Sequence, residues 1–171
     1  MFDIIKPYIT ILGGLEMKSI NKIHYKKSID AIVPIYNREG NNVCSIIYPN
    51  GTSIVESIHA DKFIRIWLQI LRIDICSYRM WAQEILHRRN GNPIVIHEHM
   101  VFIPVKMRKP IGSKDGSYGY VQLESIDDIV DGAIHLKSGR ILPCMYTKQT
   151  MERKIKDAKL IQYSYIEERK M

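Results

Sequence analysis

The sequence predicts an α+β fold: a mainly antiparallel β-sheet built of hairpins, with one or two inserted helices and a C-terminal helix. Three observations carry that prediction. Short β-rich runs recur between turn residues at Asn37 to Asn42, Pro49 to Gly51 and Ser138-Gly139. Between His59 and Arg89 the apolar period changes from that of a strand to that of a helix. From Thr147 to Ala158 the helical spacing returns, with Met151, Ile155 and Ala158 on one face.

Residues 1–28 read as an N-terminal extension: a short apolar segment, the Gly13-Gly14 break, then Met17 to Ser28 carrying Lys18, Lys22, Lys26 and Lys27 without an acid. Residues 29–171 form the folded domain. Ala31 to Tyr36 and Val43 to Tyr48 make a first hairpin around Gly40, and Thr52 to Ser57 offers a third strand. Phe63, Ile66, Trp67, Ile70 and Leu71 define one face of a helix from about Asp61 to Ile73. Tyr78, Trp81, Ile85 and Leu86 define a second helix that stops at Asn90-Gly91-Asn92-Pro93. Both tryptophans fall on these apolar faces, so they read as core residues. Ile94 to Ile96 and Val101 to Val105 form a hairpin with His97-Glu98-His99 at its tip. A basic, turn-rich segment leads from Lys106 to Ser117 into a strand from Tyr118 to Leu123. Glu124 to Asp131 reads as an acidic turn or short helix. Ala133 to Leu136 and Ile141 to Met145 then close on Ser138-Gly139, a favoured hairpin turn.

Composition bounds the function. The chain has 171 residues, 46% hydrophobic and 25% charged, which excludes a disordered or fibrous chain and suits a single core. No run approaches the roughly 20 apolar residues of a membrane helix. Asp3, Lys6 and Pro7 interrupt the apolar start, which lacks the form of a signal peptide. Cys44, Cys76 and Cys144 are odd in number and widely spaced, so neither a disulfide framework nor a zinc knuckle is suggested. A soluble protein of the reducing cytoplasm is expected. The formal charge of +7 favours polyanions as partners.

The motifs of catalysis are thin. His97 and His99, two apart on a strand, would share a face and could hold one metal, but no third ligand lies near. A small metal-dependent hydrolase is therefore the remote alternative, and solvated turn residues the plainer reading. Cys76 reads as a buried inert thiol. Gly112-Ser-Lys-Asp-Gly116 lacks the pattern of a phosphate-binding loop and reads as a turn. Asp127, Asp128 and Asp131 lack calcium-loop spacing. No cofactor is expected.

The basic clusters are uneven and more informative. Lys106, Arg108, Lys109 and Lys114 lie in a segment without an acid until Asp115, and Arg88 and Arg89 precede the hairpin leading to it. If that hairpin folds back on itself, both groups reach one end of the sheet. About five phosphate contacts there would make affinity fall two to three orders of magnitude between 50 and 200 mM salt. Lys148, Arg153, Lys154, Lys156 and Lys159 alternate with Glu152 and Asp157 at spacings of four and read as a solvated helix face.

The ordered strings Pro93-Ile-Val-Ile96, Val101-Phe-Ile-Pro104, Tyr118-Gly-Tyr-Val121 and Ala133-Ile-His-Leu-Lys-Ser-Gly-Arg140 followed by Leu142-Pro143 resemble the bacterial competence transcription factor (ComK) family. The likeness runs over roughly residues 30 to 160. It implies a DNA-binding transcriptional activator that selects A/T-rich promoter DNA, self-associates on it and has no enzyme activity. With the basic clusters read above, Arg88, Arg89, Lys106, Arg108, Lys109 and Lys114 are the best candidates for DNA contact. The chain departs from the family pattern after the first helix. Members carry Ser-Ser-Tyr-x-Gly-Arg there, and this chain has Ser77-Tyr78-Arg79-Met80-Trp81. A tail tied in relatives to activation and to a proteolytic adaptor is not matched after the terminal helix. Within the DNA-binding class, Glu124 to Val130 before a hairpin suggests a LytTR-like module as a weaker choice. Outside it, a non-enzymatic interaction module, a degenerate regulator paralogue, is the alternative.

Overall fold

The computed structural model describes residues 28–171, so the expected N-terminal extension, Ser28 apart, lies outside the described residues. The fold is α+β, with the antiparallel hairpins and C-terminal helix that the sequence predicts. Strands β1 (Ala31–Tyr36), β2 (Asn42–Ile47) and β3 (Ser53–Glu56) lead into helices α1 (Ala60–Ile70) and α2 (Ile75–Leu86). Strands β4 (Ile94–His97), β5 (Met100–Lys106) and β6 (Tyr118–Gln122) follow, then a 3-10 turn, Leu123–Ser125. A second meander, β7 (Ile126–Val130), β8 (Ala133–Leu136) and β9 (Ile141–Pro143), precedes α3 (Lys148–Lys170).

The first six strands make one sheet in the order β3-β2-β1-β6-β5-β4, and β7-β8-β9 make a smaller one. Alternation along the strands divides the core. Ile32, Ile46, Phe102 and Tyr120 meet Phe63 and Trp67 of α1 on one face. Val33, Val101, Ile103, Val105 and Val121 form the opposite face with Ile134 and Leu142 of the small sheet and Met151, Ala158 and Ile161 of α3. The large sheet is thus covered on both sides. Its halves join at a short seam, where Ala31 pairs with Val121 and Ile32 with Tyr120. Gly119 borders that seam, and a Cβ there would stand 2.6 Å from the Ile32 carbonyl oxygen.

Helix ends follow local chemistry. His59 accepts the Lys62 amide at 3.2 Å and caps α1, and Asp74 accepts the Ser77 amide at 2.7 Å and caps α2. Helix α2 runs beside the free edge of β4 and satisfies it through a side chain. The Tyr78 hydroxyl donates to the Pro93 carbonyl at 2.8 Å and accepts the Val95 amide at 3.1 Å. An unpaired edge is a template for aggregation, and this tyrosine closes part of it. Tyr78→Phe leaves two main-chain groups without that partner, so a loss of about 1–3 kcal/mol is expected in urea unfolding.

Three expectations need correction. The Glu124–Asp131 segment is a 3-10 turn followed by strand β7, whose register shifts between Ile126 and Asp128, so its polar pair breaks the alternation that marks a strand. Helix α3 runs on to Lys170, because Ala158, Ile161 and Tyr165 continue one packed face through a strongly polar sequence. Cys76 is exposed in the first turn of α2, whereas Cys44 and Cys144 are buried, and burial pushes the Cys44 thiol up to about 12.

Asp30 is buried beside the 3-10 turn, where it accepts the Ser125 hydroxyl at 2.6 Å. Burial raises its carboxyl above the ordinary range, against the opposing Ser125 bond and the Lys137 charge. The native state therefore binds this proton more tightly than the unfolded chain. Stability contributed by this residue rises as pH falls through the raised native value, and the gain is complete below the unfolded carboxyl's pKa of about 3.9. The wild type is expected to gain on Asp30→Asn in urea unfolding as pH falls over that window. A relative loss on acidification contradicts the assignment.

Candidate nucleic-acid interface

Strand directions alone gather the basic loops. Because β1 and β5 both run antiparallel to β6, the ends of β1 and β5 and the starts of β2, β4 and β6 share one end of the large sheet. The 37–41 turn, the 87–93 segment and the 107–117 loop all emerge there. The chain also returns to this end after β9, where the Met145 amide donates to the Lys106 carbonyl at 2.8 Å. The opposite end carries the 48–52 turn, the Glu98–His99 turn and the 3-10 turn.

The expected contact residues fall into two groups. Arg88 pairs with Asp157 of α3 at 2.8 Å. Arg108 lies 4.2 Å from the centre of the Tyr36 ring, with bonds to Asn42 Oδ1 at 2.6 Å and the Gly116 carbonyl at 3.2 Å. Both guanidinium groups therefore brace loops. Arg89, Lys109 and Lys114 are exposed and Lys106 half-exposed, and their side chains make no hydrogen bond, ion pair or ring contact with the described residues.

Four carboxylates near this end have local partners. Asp61 accepts the Tyr120 hydroxyl at 2.7 Å, and burial with the Asp61 charge pushes that phenol's pKa upward. Asp115 accepts the Gly112 amide and the Tyr36 hydroxyl, each at 2.9 Å. Those bonds, led by the amide, hold it below the usual carboxylate range. Asp157 faces Arg88, and Glu39 accepts the Asn41 side-chain amide at 3.2 Å.

Between α2 and the sheet lies a cleft of about 300 Å³, with Arg79 and Arg89 on one side and Pro104, Tyr118 and Tyr120 on the other. Tyr118 is 40% exposed and faces Lys106 as its cross-strand partner, so an aromatic face and a cation stand together. Sequence reasoning did not nominate Arg79 or Tyr118. Their common cleft depends on strand register and on the placement of α2, which no local motif encodes. The charge pattern of α3 places Lys154 on a solvated face, but the residue is only 9% exposed. Its ammonium lies 5.2 Å from the Tyr146 ring centre. Burial, and then the Arg88 charge, lower its pKa. Among the described residues no ion pair joins Lys148 to Glu152, Glu152 to Lys156 or Arg153 to Asp157.

His97 and His99 occupy the far end of the sheet. Their ring centres are 6.5 Å apart, and His99 stands 3.4 Å from Glu98 and 3.6 Å from Glu124. Among the described residues no group of three or more histidines, cysteines or carboxylates is placed to hold a metal ion, and no helix is long and apolar enough to cross a membrane. Comparison with family models, with curated proteins and with solved structures found no match to this chain.

Proposed function

We propose that this protein is a cytoplasmic DNA-binding transcriptional regulator of the competence-factor type, docking on A/T-rich duplex through the basic end of its large sheet. The observation that carries the reading is the asymmetry of pairing at that end. Asp61, Asp115 and Asp157 have local partners there, while the side chains of Arg89, Lys106, Lys109 and Lys114 have none among the described residues. Lysines of this kind neutralise phosphates without reading sequence, whereas an arginine can enter the narrow, electronegative minor groove of A/T tracts. The preference for A/T-rich DNA and the self-association on it rest on the sequence likeness to that family.

A mobility-shift titration tests the proposal, with A/T-rich and G/C-rich duplexes of equal length compared at several salt concentrations. Binding that favours the A/T-rich duplex and weakens steeply with salt is the expected result. Absence of retention on either duplex at low salt contradicts it.

A further inference from the structure

The 107–117 loop combines a fixed backbone with an apolar tip. Ile111 is 84% exposed, between Lys109-Pro110 and Lys114. Its own amide donates to the Tyr36 hydroxyl at 2.8 Å, and that hydroxyl donates to Asp115 at 2.9 Å. Asp115 in turn accepts the Gly112 amide and donates its own amide to the Gly112 carbonyl at 3.1 Å. Arg108 lies against the Tyr36 ring and ties the loop's return to β2 through Gly116 and Asn42. The loop therefore holds the isoleucine outward in one geometry, so little ordering remains when it is buried by a partner. Its neighbours choose the partner. An apolar side chain beside lysines without partners among the described residues suits a surface that is apolar within and anionic at its rim. A base step flanked by phosphates has that character. A lipid surface shares the charge, but Ile111 with its exposed neighbour Pro110 is a small apolar area to immerse, and Gly112 and Ser113 complete the tip.

Resting on the DNA-binding reading, we infer that Ile111 is a wedge that enters between stacked bases from the minor groove and kinks the duplex, with Lys109 and Lys114 on the flanking phosphates. Apolar wedges of this kind bend DNA by roughly 20–90°.

The test compares wild type, Ile111→Leu and Ile111→Ala on an A/T-rich duplex labelled at both ends for energy transfer, with affinity measured in parallel by mobility shift. Wild type and Ile111→Leu are expected to bring the duplex ends together. Ile111→Ala is expected to bind within about tenfold of wild type yet leave the duplex straight. Equal bending by the alanine variant, or a straight duplex bound by the wild type, overturns the wedge and leaves the DNA-binding reading intact. No duplex binding by the wild type removes both. A parallel arm uses vesicles containing phosphatidylserine. Vesicle binding lost on Ile111→Ala, without any change in DNA bending, assigns the side chain to a lipid surface and likewise overturns the wedge.

Discussion

Replacing Arg89, Lys106, Lys109 and Lys114 together with alanine is expected to abolish duplex binding at physiological salt while leaving the fold intact. Each lysine or arginine that displaces a counterion from a phosphate contributes about −0.9 to the slope of log affinity against log salt. With these side chains in contact, the wild type loses roughly a hundredfold in affinity between 50 and 200 mM salt, and the variant's slope flattens by roughly 3 to 4. Stability should hardly move, because none of these side chains has a partner among the described residues, and exposed substitutions of that kind stay within about 0.5 kcal/mol each. Lys137→Ala with Arg140→Ala is the control. Those residues lie beyond β8, near the opposite end, where the Lys137 amide donates to the Ser125 carbonyl at 2.9 Å. Equal losses from both sets would reduce the effect to net charge.

Truncating Phe102 to alanine is expected to cost about 3–5 kcal/mol, a large share of the roughly 5–15 kcal/mol that holds a domain together. Phe102 is fully buried, and its ring meets Trp67 edge-on with centres 5.5 Å apart. This contact seats α1 on the sheet, and α1 in turn places Asp61 against the Tyr120 hydroxyl beside the cleft. Trp67→Phe is expected to cost less, because the buried indole N–H has no acceptor among the described residues and its removal relieves an unmet bond. Urea midpoints compare the variants, and a Phe102→Ala loss below about 1 kcal/mol would contradict this seating of α1.

Much of the fold was legible because its elements obey local rules. The β1–β2 turn carries Asn37, whose side chain accepts the Glu39 and Asn41 amides, and Gly40 at φ +79°. Helix α1 shows its apolar face directly. Strand β7 was hidden because a register shift at its aspartates hides the period of two, and the second half of α3 because exposed Leu160 and Tyr163 interleave with packed Ile161 and Tyr165 and blur a single apolar face. The site was legible only as charge. Sequence placed Arg88 and Arg108 among the free cations. Their bracing partners Asp157 and Asn42 lie 69 and 66 residues away along the chain. The exposed tip at Ile111 needed the loop's hydrogen bonds, and the cleft beside Tyr118 needed the register of β5 against β6.

Backbone amide shifts of the labelled protein, followed during titration with an A/T-rich duplex, locate the end of the sheet that meets DNA. Perturbations are expected to concentrate in the 37–41, 88–92 and 106–118 segments, while the 48–52 and 97–99 turns keep their positions. Shifts centred on those far turns, or spread evenly over both ends of the sheet, would contradict it.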